Sequence, residues 1–209
     1  RSGAAAADLA RSKGANVYLH DDGQGILFKP EALDIIDEII ISPGVPNSNK
    51  LVIEAKKKNI SIISEMEFAY RYCNKPIIAI TGTNGKTTTT SLIDFVLRSV
   101  GKKSIAAGNI GLAFSSIIQN QDDFEVIVLE ISNFQLDYIR DFRPYIAILL
   151  NITPDHLDRY NSYGDYEKSK MRICENQKKG DLFIDCRNIS PKEHIVIEDT
   201  YLKGAHNRE

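Results

Sequence analysis

The chain has 209 residues, 43% of them hydrophobic and 26% charged, with a formal net charge of -2, the balance of a globular protein with apolar material for one large core or two smaller ones. Charges of both signs are interspersed, so no basic stripe argues for nucleic acid and no polybasic run for a membrane surface, and no apolar run approaches the roughly 18 residues of a membrane span. Three widely spaced cysteines, Cys73, Cys174 and Cys186, argue against a disulfide framework or a zinc knuckle and for the reducing cytosol.

The opening Arg1-Ser2-Gly3-Ala4 is not a signal peptide, and residues 3–13 read as an Ala-rich helix already under way, closed by Gly14. The pattern then alternates: a strand at Val17–His20, a turn at Asp21-Asp22-Gly23, a strand at Glu38–Ser42, a helix at Asn49–Lys58 and a strand at Ile60–Ser64. Such alternation implies parallel βαβ units and a doubly wound, Rossmann-like sheet, here without its first strand. The turn Ser42-Pro43-Gly44-Val45-Pro46 follows a strand end, where an open α/β sheet places its ligand crevice. A helix at Glu65–Cys73 leads through Asn74-Lys75-Pro76 into a fresh strand, and the proline predicts a boundary near residue 75.

After it the pattern restarts as a second α/β domain, residues 76–209, with a mostly parallel sheet. Strands are expected at Ile77–Ile80, Ser104–Ala107, Val126–Glu130 and Ile146–Asn151, and helices at Lys86–Val100, Leu112–Gln119 and Tyr163–Gln177. Leu92, Ile93, Val96 and Val100 recur at helical spacing and predict a buried face on the first of these helices.

Between that first strand and helix lies Ile80-Thr81-Gly82-Thr83-Asn84-Gly85-Lys86-Thr87-Thr88. Glycines let successive N–H groups and the helix N-terminus converge on phosphate oxygens, Lys86 adds charge, and Thr87 offers a hydroxyl to Mg²⁺. The spacing is shorter than G-x-x-x-x-G-K-[ST], but strand, loop and helix stand as that motif requires. Glu130 ends a strand at the same sheet edge and supplies the hard oxygen Mg²⁺ prefers. His156 stands one strand over among acids, after Asn151-Ile152-Thr153-Pro154-Asp155. On the last helix Tyr163, Tyr166, Ile173, Cys174 and Gln177 share an inward face with Lys170, while Lys168 and Arg172 fall outward. Burial lowers a lysine pKa, and a neutral amine can take up CO₂ as a carbamate able to hold a metal.

Together these motifs resemble the Mur ligases, ATP-dependent enzymes that extend the peptide of the peptidoglycan precursor. Gly82–Thr88 is similar to the family's phosphate loop and Asn151–Tyr160 to its metal-binding histidine segment. Gly108-Asn109-Ile110-Gly111, Leu129–Leu136, Ser42–Val45 and Ser64–Phe68 resemble the branch that adds D-glutamate. The resemblance implies that ATP phosphorylates the carboxylate of UDP-N-acetylmuramoyl-L-alanine and that D-glutamate displaces phosphate from the acyl phosphate. Gly82, Thr83, Asn84, Gly85, Lys86, Thr87, Thr88 and Asn207 would bind nucleotide. Thr87 and Glu130 would hold one Mg²⁺, and His156 with a carbamylated Lys170 a second. Lys86, His156 and Lys170 would be the catalytic set. Asn109 and Ser132 would line the substrate channel, and the uridine nucleotide would sit near Ser2, Asp21 and Gly44. A cytoplasmic monomer without nucleic-acid or membrane partners is implied.

The chain departs from the family where Asn133 replaces a second serine, where the stretch from Gln177 to His206-Asn207 is short, and in lacking the third domain that carries the amino-acid site. A sibling Mur ligase, a folylpolyglutamate synthetase-like ligase, a nucleotide-binding switch, and a fragment that binds without turnover are the alternatives.

Overall fold

The computed structural model describes residues 2–21, 30–155 and 159–188. Helix α1, Ser2–Ser12, buries Ala6, Ala7, Leu9 and Ala10 and stops at Gly14, whose φ is +83°. The expected strand at Val17–His20 does not form; these residues carry no regular structure, and Tyr18 and Leu19 are exposed. Apolar alternation alone does not make a strand, which also needs a neighbour to take its backbone hydrogen bonds. The neighbours that do exist, β1 (Glu38–Ile41) and β2 (Ser61–Ser64), pair with each other in parallel from Glu38 opposite Ser61 to Ile41 opposite Ser64. Between them runs α2, Lys50–Lys57, started by the Asn49 side chain accepting from the Leu51 amide.

Helix α3, Glu65–Tyr70, begins directly at the end of β2 under the Ser64 hydroxyl cap. It is shorter than the expected Glu65–Cys73, because the chain closes in turns at Tyr72 and Cys73 before entering the second sheet. That sheet is parallel throughout, in the order β4 (Ser104–Gly108), β5 (Val126–Glu130), β3 (Ile77–Thr81), β6 (Ile146–Leu149), β7 (Leu182–Asp185). Right-handed crossovers then put α4, Lys86–Ser99, on one face and α5 (Phe114–Ile117), α6 (Asn133–Leu136) and α7 (Tyr163–Met171) on the other.

Three sequence expectations change here. Leu92, Val96 and Val100 on α4 are exposed, with Val100 at 70%, and Phe95 joins them; only Ile93 of the predicted face is half-buried. The helix instead packs through Thr90, Ile93 and Leu97, and through Asp94, which accepts from the Ser104 hydroxyl at 2.6 Å. The helix at 112–119 reduces to α5 followed by a 3-10 stretch over Ile118–Asp123. Phe114, Ile117 and Ile118 are its buried apolar residues, and nothing at helical spacing extends that face. Helix α7 ends at Met171 and tightens into a 3-10 turn, Arg172–Cys174, well short of Gln177.

One buried cluster joins α1, β2 and α3 to the second sheet, with Leu9, Ile63, Met66, Phe68, Ile77, Leu129, Phe142 and Ile173 among its members. Two buried carboxylates cross it. Glu65 accepts from the Ser115 amide at 2.6 Å, and its burial raises its pKa above the usual carboxylate value. Glu67 accepts from the amides of Arg140, Asp141 and Phe142 at 2.9, 3.0 and 2.9 Å. No helix among the described residues is long and apolar enough to cross a membrane.

Candidate functional site

The C-terminal ends of β3, β5 and β6 bring the chemistry-bearing residues to one edge. From β3 the chain turns through Gly82–Gly85 into α4, and Gly85, the residue before the helix, has φ +83°. A side chain there would be strained, which is why the loop reverses at glycine. Lys86 lies back across the loop, donating to the carbonyls of Gly82 (3.0 Å) and Thr83 (2.9 Å). One residue on, the Thr87 hydroxyl donates to Glu130 Oε2 at 2.7 Å. The other oxygen of Glu130 accepts from Asn109 Nδ2 at 3.0 Å, and the Asn109 amide donates to the Glu130 carbonyl at 2.9 Å. Glu130 is only 2% exposed. Asn109, expected in the substrate channel, therefore orients this carboxylate.

The segment after β6 braces the loop. Asn151 exchanges two side-chain hydrogen bonds with the backbone of Asn84, and its carbonyl accepts from the Thr83 amide. Thr153 N–H donates to Thr83 Oγ1 while that hydroxyl donates to the Thr153 carbonyl. The proton of the 3.0 Å Thr83–Tyr166 contact then belongs to the tyrosine, since the threonine has spent its own. Thr88 is exposed on the first turn of α4.

Lys170 confirms the inward direction read from helix phase. It is 1% exposed, donates to the Gly82 carbonyl at 2.9 Å and lies 4.7 Å from the centre of the Tyr166 ring. Two lysines thus share one carbonyl oxygen. Burial first, and the neighbouring Lys86 charge second, pull the Lys170 pKa down to about 8, against partial support from Asp155 and Asp137. A lysine whose folded pKa lies below its unfolded value of 10.5 binds fewer protons folded than unfolded between the two, so its contribution to stability rises with pH across that interval. Urea unfolding of wild type from about pH 8 to about pH 10.5 is expected to show this rise and Lys170→Met to lack it. Parallel curves would remove the assignment.

Other expectations fare differently. Ser132 is buried and spends its hydroxyl on Gln135 in the cap of α6. Gly44 is exposed in the turn after β1, and the Ser2 end of α1 abuts that turn, since a Cβ on Gly3 would stand 3.4 Å from Ser42 Oγ. Asp21 is exposed in a single-residue bridge. His156 and Asn207 lie outside the described residues. Arg172, read as solvated, is not: its guanidinium donates to the carbonyls of Leu136, Asp137 and Ile139 at 2.7 to 2.9 Å, capping the end of α6. Tyr163, expected inward, is 41% exposed.

Among the described residues no three His, Cys, Asp or Glu side chains gather as a ready metal cluster. The Thr87 hydroxyl and Glu130 carboxylate nevertheless form the oxygen pair that suits Mg²⁺, which takes one or two protein ligands and draws the rest from phosphate and water.

The Mur ligase middle domain matches residues 80–195. The chain is 42% identical over 228 residues to the UDP-N-acetylmuramoylalanine--D-glutamate ligase of Salinibacter ruber, covering 98% of this chain and 49% of that protein. It is 46% identical over 157 residues to the protein of the same name from Thermoanaerobacter pseudethanolicus, covering 75% and 35%. The chain therefore spans half or less of the length of these curated relatives. Among solved structures, the UDP-N-acetylmuramate:L-alanyl-gamma-D-glutamyl-meso-diaminopimelate ligase from Neisseria meningitides superposes with a TM-score of 0.54 at 17% identity, over 88% of this chain and 67% of that one, which is a likeness of fold.

Proposed function

Because the chain belongs to the Mur ligase family, we propose that it is the nucleotide-binding part of an ADP-forming ligase that adds D-glutamate to UDP-N-acetylmuramoyl-L-alanine through an acyl phosphate, in the cytoplasm. The observation that carries this reading is the convergence of Lys86 and Lys170 on the Gly82 carbonyl, beside the Thr87–Glu130 pair. A nucleotide switch needs the loop and the Thr87–Glu130 pair, but it has no use for a second, buried lysine of depressed pKa. The names of the relatives favour D-glutamate over the other amino acids.

In this reading Lys86 leaves the loop carbonyls for the β and γ phosphates and offsets charge on the transferring phosphoryl group, a mainly electrostatic task. The amides of Gly85, Lys86, Thr87 and Thr88, which open α4, cradle the phosphates, while those of Thr83 and Asn84 are held by Asn151. Thr87 and Glu130 hold Mg²⁺, with Asn109 keeping the carboxylate turned towards it. Magnesium ions supply Lewis-acid screening of the phosphate and carboxylate oxygens. Lys170, neutral in part near its pKa of about 8, would attack CO₂ through its free amine and release one proton to solvent, and the resulting carbamate would hold the second metal ion together with His156. Ser132, whose hydroxyl is bonded to Gln135, would have to turn from it to meet the substrate carboxylate, and Asn207 would approach the nucleotide. The uridine end lies at Ser2, Asp21 and Gly44, in a first domain that we bound at residue 75.

The test is ADP release with UDP-N-acetylmuramoyl-L-alanine and each candidate amino acid, on this chain and on a version extended to the length of the relatives. Dependence on D-glutamate is expected; equal rates with L-alanine, a diamino acid or a folate acceptor would sink the assignment. Lys86→Ala is expected to weaken Mg-ATP binding about a hundredfold, the loss of one or two charge-assisted hydrogen bonds. Isothermal titration with a non-hydrolysable ATP analogue measures it, and an unchanged affinity would contradict the role given to the loop.

A further inference from the structure

The Arg159–Tyr160 pair links three parts of the molecule that the reaction needs in register. Arg159 donates to the Val45 carbonyl at 3.0 Å, inside the turn after β1, and its guanidinium lies 4.0 Å from the centre of the Phe134 ring on α6. Tyr160 stacks on the same ring, with centres 6.3 Å apart and planes within 6°. Its hydroxyl donates to Asp137 Oδ2 at 2.7 Å and accepts from Asn133 Nδ2 at 2.6 Å. Asp137 Oδ1 accepts from Ser169 at 2.5 Å, next to Lys170 on α7. Asn133, which stands where the family has serine, is thus spent within the protein. A second tie runs alongside, the Tyr138 hydroxyl donating to Asn47 and the Tyr138 carbonyl accepting from the Ser64 amide.

We propose that Arg159 and Tyr160 act as a clasp that sets the spacing between the Ser42–Pro46 turn and the α6–α7 pair, and that Arg159 is thereby a positioning residue for a long uridine-nucleotide sugar and not for ATP. The proposal rests on the functional reading above: such a substrate must run from the edge of the first sheet to the phosphate loop, crossing the ground between this turn and Ser132. ATP lies wholly on the phosphate-loop side and never crosses it. The Val45 amide is bonded to the Ser42 carbonyl at 3.0 Å and the Asn49 amide to that of Pro46 at 3.0 Å, so the turn is ordered and Arg159 closes it from outside. Only the charged end of Arg159 makes these contacts, so Arg159→Met keeps the stem and removes the hydrogen bond and the ring attraction.

The experiment measures, on the 209-residue chain, affinity for UDP-N-acetylmuramoyl-L-alanine, affinity for a Mg²⁺-bound non-hydrolysable ATP analogue, and amide hydrogen exchange at residues 45–49. In Arg159→Met we expect about a tenfold loss for the uridine nucleotide, ATP-analogue affinity within about twofold, and faster exchange over 45–49, with Arg159→Lys partly restoring both. A lost uridine affinity with unchanged exchange would mean that Arg159 touches the substrate itself and would overturn the clasp. Parallel losses for both ligands would overturn it as general unfolding. If wild type bound no uridine nucleotide while the exchange effect persisted, the functional reading would fall and the clasp would stand as a mechanical tie.

Discussion

Glu67→Ala is expected to cost about 3 to 5 kcal/mol of folding stability, a large share of the roughly 5 to 15 kcal/mol that holds a domain of this kind together. Glu67 is fully buried, and its two oxygens accept from three consecutive amides, those of Arg140, Asp141 and Phe142. Removing the carboxylate strands one buried donor, the Phe142 amide, and two part-buried ones, those of Arg140 and Asp141, each worth roughly 1 to 3 kcal/mol unless water reaches it. Phe142 and Ile139, which pack in the core beside this loop, would lose their positions with it. Glu67→Gln keeps the shape and one acceptor oxygen, and is expected to cost about half as much. Denaturant unfolding of both variants tests the account; a loss under about 1 kcal/mol for alanine would show that the loop finds other partners.

The second large effect is Gly108→Ala. Gly108 has φ +103°, and a Cβ there would overlap the carbonyl oxygen of Glu130, well inside van der Waals contact. That carbonyl belongs to the neighbouring strand and already accepts from the Asn109 amide. The methyl group must therefore push β4 from β5 where the Glu130 carboxylate meets Thr87. We expect at least about 3 kcal/mol of destabilisation from strain and overlap. In the fraction that folds, the Mg²⁺ dependence of nucleotide binding should be lost, because Glu130 no longer faces Thr87. Thermal unfolding and an ATP-analogue titration with and without Mg²⁺ measure the two parts. Wild-type behaviour in both would refute the close approach.

Much of this site was legible from residue order because its logic is local. The glycines, Lys86 and Thr87 sit within one loop whose strand and helix are contiguous with it, and strand ends announce which edge of a parallel sheet carries ligands. Glu130 could be placed at that edge by counting along one strand. Helix phase pointed Lys170 inward because Tyr166 and Ile173 lie on the same side. Arg172 was misread by the same rule. Phase marks a direction relative to the helix axis, and the carbonyls that Arg172 caps belong to the last residue of α6 and the turn that follows it, more than thirty residues away in sequence.

The face of α4 went wrong for a related reason: apolar spacing shows that a face is apolar, not that a partner covers it. The strand at Val17–His20 failed because pairing is a property of two segments. By itself, the sequence determined most of the alternation of strands and helices and the glycine loop between β3 and α4, because each depends on neighbours within a few residues. Only the tertiary structure decided that Lys86 and Lys170 meet on one carbonyl, that Asn109 holds Glu130, that Glu67 caps a distant loop, and that Arg159 reaches Val45. Each of these is a hydrogen bond between groups far apart in the chain, and whether such groups meet depends on how the sheets and helices pack around the core.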